Sequence, residues 1–141
     1  NGHGTHTMGT MVGDDDPTFR LALADVLRLE GYTTLVASTC GEALGALAKD
    51  TVDVLFVDVN LPDGSGLDLL PGPDVPAVVV TGEPSLSLAD EALSLGAWDC
   101  LAKPVDRLRI RMTLARLARE RGLQEEINRL RTALRSVGPR A

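Results

Sequence analysis

Aromatic side chains are scarce in this chain, with one Trp, one Tyr and two Phe among 141 residues. Apolar residues nevertheless make up 44% of it, so the core is expected to be aliphatic, built from Val, Leu and Ala. Cysteine is scarce as well. Cys40 and Cys100 fall in no CxxC or metal-binding spacing, which argues against a disulfide framework and leaves both as free thiols. No apolar stretch approaches the roughly 18 to 20 residues of a membrane span, and no signal-peptide core stands near the start, so the expected compartment is the cytoplasm. The two histidines, His3 and His6, lie in an opening segment, residues 1–8, that reads as the remnant of an expression tag rather than as a metal site. Basic residues are few before position 105: 4 against 16 acidic ones up to residue 104, and 10 against 4 beyond it. Two surfaces of opposite sign are implied. A chain of this length buries roughly two thirds of its unfolded surface, enough for one domain and an extension without covalent staples.

Acids are present in quantity, and their placement is informative. Asp14, Asp15 and Asp16 close the short apolar stretch at Met11 and Val12, and Asp58 ends the apolar run 54–57. Two carboxylates about 4 Å apart cost on the order of 4 kcal/mol at an effective dielectric of about 20. A positive partner must offset that repulsion. A hard divalent ion with oxygen ligands does so, and magnesium suits one or two carboxylates while keeping waters and bridging to a phosphate. An isolated acid run is equally well read as solvated helix caps. Asp16 takes that role, because Asp before a proline at the first helical position starts a helix, and Asp14 and Asp15 remain free for chemistry.

Apolar runs bounded by turn residues alternate with stretches of helical spacing. Strands are predicted at 9–13, 32–37, 52–57, 77–81 and 99–102, and helices at 17–30, 41–49, 67–70, 85–95 and from Asp106 onward. Five strands alternating with five helices give an α/β fold with a parallel sheet wound on both faces. Ligands bind such sheets beyond the carboxyl ends of the strands, at the switch point of the winding order. Asp14, Asp15, Asp58, Thr81 and Lys103 all fall at or just after predicted strand ends, and so converge on that edge.

The text DDDP at 14–17, VDVNLPDGSG at 57–66, VVVTG at 78–82 and GAWDCLAKP at 96–104 resembles, in this order, the receiver domain of two-component response regulators. The resemblance covers residues 9 to about 121 and implies a flavodoxin-like sheet of order 2-1-3-4-5. By motif it also implies that Asp14, Asp15 and Asp58 bind Mg2+ together with the backbone carbonyl of Asn60. Asp58 would be the phosphoacceptor, and Thr81 and Lys103 would contact the phosphoryl group. The Lys103–Pro104 bond is expected to be cis.

These roles suit the residue types. A carboxylate nucleophile attacks an activated phosphoryl group to give an acyl phosphate. Magnesium, with Asp15 as a direct ligand and Asp14 acting through water, would neutralise charge as the group transfers. Lys103 is a point-charge partner for Asp58 and then for the phosphate, Thr81 offers a hydroxyl, and Gly82 leaves space for the approach. The domain would act as a switch, catalysing at most its own phosphorylation and dephosphorylation, with a sensor histidine kinase as its partner.

Two departures from the family pattern stand out. Many receivers carry an aromatic residue three positions before the Lys, where this chain has Cys100; Trp98, two residues earlier, is assigned to packing. The 23 residues from Asp58 to Thr81 are fewer than the family leads one to expect. The third helix must be cut short, since Pro-Gly-Pro at 71–73 cannot continue it.

The C-terminal segment carries a separate signal. Ile110, Leu114 and Leu117 follow a four-three spacing, and Leu123, Ile127, Leu130, Leu134 and Val137 resume it after a phase slip at Gly122. Residues 122–141 are read as a coiled-coil-like linker helix through which the chain forms a homodimer. This tail resembles the linker between the receiver and the ATPase domain of NtrC-type transcription activators, which would make the chain a piece of a longer protein with a transcriptional output domain. Direct nucleic-acid binding by its arginines is not expected, because Arg on exposed helical faces serves solubility and charge pairing more often.

Two rival readings use the same residues. A haloacid-dehalogenase-like phosphatase needs a general acid two residues past its nucleophile, where this chain has Asn60. An inactive pseudo-receiver serving only for dimerisation fits the Cys100 substitution and the short third helix, but not the intact set Asp14, Asp15, Asp58, Thr81 and Lys103.

Overall fold

The computed structural model describes residues 9–49, 51–70 and 75–137. The opening segment with His3 and His6, and the Pro-Gly-Pro at 71–73, lie outside the described residues. The chain divides into two compact units, residues 1–105 and 106–141.

The first unit holds a five-stranded parallel sheet: β1 (Gly9–Gly13), β2 (Thr33–Ala37), β3 (Val54–Asp58), β4 (Ala77–Thr81) and β5 (Asp99–Ala102), in the order β2-β1-β3-β4-β5. The expected 2-1-3-4-5 winding is therefore present. β3 and β4 are buried at every residue, which is why 54–57 and 77–80 read as continuous apolar runs instead of alternating patterns. β2 and β5 lie at the sheet edges and are only partly covered. Met11, Val12, Leu55, Phe56, Val57, Val78, Val79 and Val80 are at most 1% exposed. The core is aliphatic around one phenylalanine.

Helix α1 (Pro17–Leu29) begins as its sequence requires. Asp16 Oδ1 accepts the Thr18 and Phe19 N–H groups at 3.0 and 3.4 Å, and Pro17 occupies the first turn, where an N–H would lack a partner. Leu23, Ala24 and Leu27 form its buried stripe. The helix ends where Gly31, at φ +95°, takes the left-handed conformation, and the Tyr32 N–H returns to the Leu27 carbonyl at 3.0 Å.

Helix α2 (Cys40–Lys49) receives much of its cap from a distant residue. The Glu42 N–H donates to Thr39 Oγ1 at 3.1 Å, while the Cys40 and Gly41 N–H groups donate to the two oxygens of Asp63, at 2.7 and 3.0 Å. Three of the four unpaired amides of the first turn are thereby satisfied by side chains. Asp63 stands in the loop after β3, between the two-residue ladders Asn60–Leu61 and Gly64–Ser65.

Among the described residues there are four α-helices rather than the five predicted. The predicted third helix is a single 3₁₀ turn, Gly66–Leu69, capped by Ser65 and burying Leu67 and Leu69. Helix α3 spans Leu86–Ser94, with Ser85 Oγ accepting the Leu88 N–H at 3.0 Å.

The second unit is helix α4, 31 residues from Arg107 to Val137. Asp106 Oδ1 accepts the Arg109 N–H at 2.8 Å to start it, and it passes through Gly122 without a break. Ile110, Thr113, Leu114 and Leu117 are its buried positions. Leu123, Ile127, Leu130 and Leu134 are between 43% and 67% exposed. Among the described residues, no helix is long and apolar enough to cross a membrane.

Candidate functional site

Strand register brings the candidate residues to one edge. Asp58 closes β3 opposite Val80 of β4, Thr81 pairs with Ala102 of β5, and Gly13, just before Asp14, sits between Ala37 and Val57. Backbone bonds pin the residues that follow the strands: the Asp14 N–H donates to the Ala37 carbonyl at 2.9 Å, and the Lys103 N–H to the Thr81 carbonyl at 2.8 Å. All five strand-end residues, Asp14, Asp15, Asp58, Thr81 and Lys103, lie at the carboxyl edge of the sheet. Carboxylate oxygens of Asp14, Asp15 and Asp58 lie within 4.8 Å of one another.

Asp14 is 1% exposed and Asp58 6%, while Asp15 faces solvent. Lys103 reaches into this group. Its Nζ stands 2.7 Å from Asp14 Oδ2 and donates to Asp58 Oδ2 at 3.1 Å. The approach to Asp14 is an ion pair without hydrogen-bond alignment, so that buried Oδ2 has no hydrogen-bond partner. Burial pushes the Asp14 carboxyl above its ordinary range, and Asp58 adds to the rise; the Lys103 ammonium and the Asp16 N–H, which donates to Asp14 Oδ1 at 2.9 Å, act against it. Burial disfavours the Lys103 charge, but Asp14 and Asp58 outweigh it and hold the ammonium above the usual lysine value.

Three clustered carboxylates and one ammonium leave this edge with an excess of two negative charges, and Asp14 Oδ2, although ion-paired with Lys103, has no hydrogen bond. This donor set fits a hard divalent cation, with Asp15 on the solvent side where such an ion keeps its waters. Asn60 is exposed and its N–H donates to Asp58 Oδ1 at 3.2 Å. Thr81 is fully buried; its Oγ1 accepts the Glu83 N–H at 3.0 Å, and the hydroxyl proton can still donate. The Lys103–Pro104 bond is cis.

A Cβ at Gly82 would lie 4.0 Å from Lys103 Cδ, an ordinary contact. A steric demand within the fold falls on Gly66, where a Cβ would stand 1.8 Å from the Asp58 carbonyl oxygen. Two residues of α1 also belong to the site. Arg20 donates to the Asp14 carbonyl at 2.9 Å, and the Phe19 ring centroid lies 4.3 Å from Lys103 Nζ. Neither had a local signal beyond its place one turn after the acid run.

Comparison with known proteins agrees with this geometry. The response regulator receiver domain family matches residues 10–115, and the chain belongs to that family. It is 37% identical over 121 residues to the response regulator protein PilR of Pseudomonas aeruginosa, covering 82% of this chain and 27% of PilR. The chain thus corresponds to about a quarter of that relative's length. Among solved structures, the beryllofluoride-activated NtrC4 receiver domain dimer is 30% identical with a TM-score of 0.74, over 79% of this chain and 97% of that one. A response regulator from Burkholderia pseudomallei, solved with a phosphorylated aspartic acid, calcium ion and citrate, is 28% identical with a TM-score of 0.71, over 92% and 85%. The chain is a receiver domain similar to those of NtrC-type activators.

Proposed function

We propose that this receiver is a magnesium-dependent phosphoacceptor in which Asp58 takes a phosphoryl group from a sensor histidine kinase and thereby switches dimerisation and a transcriptional output domain. The observation that carries this reading is Lys103 Nζ in hydrogen-bond contact with Asp58, 3.1 Å away, beside two further carboxylates. A structural ion pair needs one acid; three acids around one ammonium suit a site that receives both a cation and a phosphate.

An Asp58 oxygen forms the new O–P bond as the donor's P–N bond breaks, and the departing imidazole nitrogen leaves with the electron pair and, on protonation, becomes the neutral ring. Asp14, Asp15, Asp58 and the Asn60 carbonyl would hold Mg2+, which supplies neutralisation of the charge on the transferring group. Lys103 meets the phosphoryl oxygens as a point charge, and Thr81 donates its hydroxyl to one of them. The added charge, roughly -1.5 to -2, then biases the loops after β3 and β4. The domain catalyses at most its own phosphorylation and dephosphorylation. The solved phosphorylated relative and the activated receiver dimer support this reading by similarity.

Incubation with Mg2+ and acetyl phosphate, followed by intact-mass measurement, tests it. Wild type should gain one acid-labile phosphoryl group and Asp58→Asn none. No gain in wild type refutes the acceptor role and favours a receiver that serves dimerisation alone.

A further inference from the structure

The cleft contains one contact that the acceptor chemistry above does not use. Lys103 Nζ lies 4.3 Å from the centroid of Phe19, in addition to its contacts with Asp14 and Asp58. A lysine ammonium sits on a flexible four-carbon stem with about 2 kcal/mol of rotamer freedom, and an aromatic face beside its two carboxylates narrows that freedom further, because the ring's negative quadrupole attracts the cation. The backbone of Phe19 is held, since its N–H donates to Asp16 Oδ1 in the cap of α1, and the neighbouring Arg20 ties the same turn to the Asp14 carbonyl. The ring is thus attached to the acid run it serves.

We propose that Phe19 is a positioning residue for phosphoryl acceptance, its ring face seating the Lys103 ammonium against Asp58. This role rests on the phosphoacceptor reading above. The ring acts through Lys103.

Fluorination tests this without changing the ring's outline. In the full chain, Phe19 is replaced by its mono-, di- and trifluorinated analogues, which weaken the quadrupole stepwise, and the rate of phosphoryl gain from acetyl phosphate with Mg2+ is followed by intact mass. The rate should fall monotonically along the series, by about 2- to 30-fold in all, while the circular dichroism spectrum of the folded chain stays unchanged. A rate indifferent to fluorination overturns the proposal. Proton NMR gives a second readout: the Lys103 Cε protons should show an upfield ring-current shift that disappears in Phe19→Leu. Absence of that shift in wild type overturns the proposal whatever the rates. A wild type with the shift but without phosphoryl gain refutes the acceptor reading and this role of the ring with it, and leaves the contact established.

Discussion

Replacing Gly66 with alanine should be among the most damaging single-methyl additions in the domain. The added Cβ would stand 1.8 Å from the Asp58 carbonyl oxygen, 2.8 Å from its carbon and 2.9 Å from Val57 Cγ2. Carbon–oxygen contacts ordinarily settle at about 3.3–3.6 Å, so the chain must yield by about 1.5 Å. No rotamer can relieve the closest contacts, because the two nearest atoms are backbone at the end of a fully buried strand and Gly66 is itself held by its N–H to the Val59 carbonyl at 2.8 Å. Overpacking of a core costs about 1–3 kcal/mol where side chains can adjust, and a backbone clash belongs at the upper end. At about 3 kcal/mol and an m-value of about 2 kcal/mol/M, the urea midpoint falls by about 1.5 M. Gly45→Ala is the control, since nothing lies within 4 Å of a Cβ there; in the middle of α2 it should stabilise by about 0.5–1 kcal/mol. The assay is urea unfolding followed by circular dichroism. A Gly66→Ala midpoint within error of wild type would refute the steric argument and the claim that the Asp58 backbone is fixed by its neighbour.

Two further outcomes are expected. Asp63→Ala should speed hydrogen exchange at the Cys40 and Gly41 amides, which lose their acceptor. The Asp63 carboxyl is held below its ordinary 3.8 by those two N–H groups, so its contribution to stability is complete above that value and is lost as pH falls through the lower folded one. Wild type should therefore lose more stability in acid than Asp63→Ala does, and identical acid titrations of the two would exclude the cap. Light scattering should give a dimer for the full chain and a monomer after truncation at Gly122; a monomer in both cases disposes of pairing through the exposed Leu123, Ile127, Leu130 and Leu134.

The elements were largely legible because each is encoded by neighbours in sequence. The apolar runs at 54–57 and 77–80 could be placed as buried parallel strands, and Asp16-Pro17 as a helix start, without knowledge of any distant residue. Strand ends then carried Asp14, Asp58, Thr81 and Lys103 to one edge, because a parallel sheet aligns its carboxyl termini. What could not be read depends on contacts across the fold. Asp63 caps a helix that begins 23 residues earlier, Gly66 matters only because the Asp58 carbonyl lies against it, and Phe19 meets a lysine brought over by β5. The third helix failed as a helix for a local reason: with prolines at 71 and 73, a run as short as 67–70 has room for a single turn.

Helix α4 has a consequence of its own. An unbroken α-helix advances about 1.5 Å and turns about 100° with every residue, so it fixes angle as strictly as distance. Its passage through Gly122 without a break keeps the phase of Leu123, Ile127, Leu130 and Leu134 locked to that of Ile110, Leu114 and Leu117. Inserting one residue after Gly122 would swing the exposed stripe by more than a quarter turn while lengthening the rod by less than the width of an atom. Along this helix, residue count acts as a compass bearing.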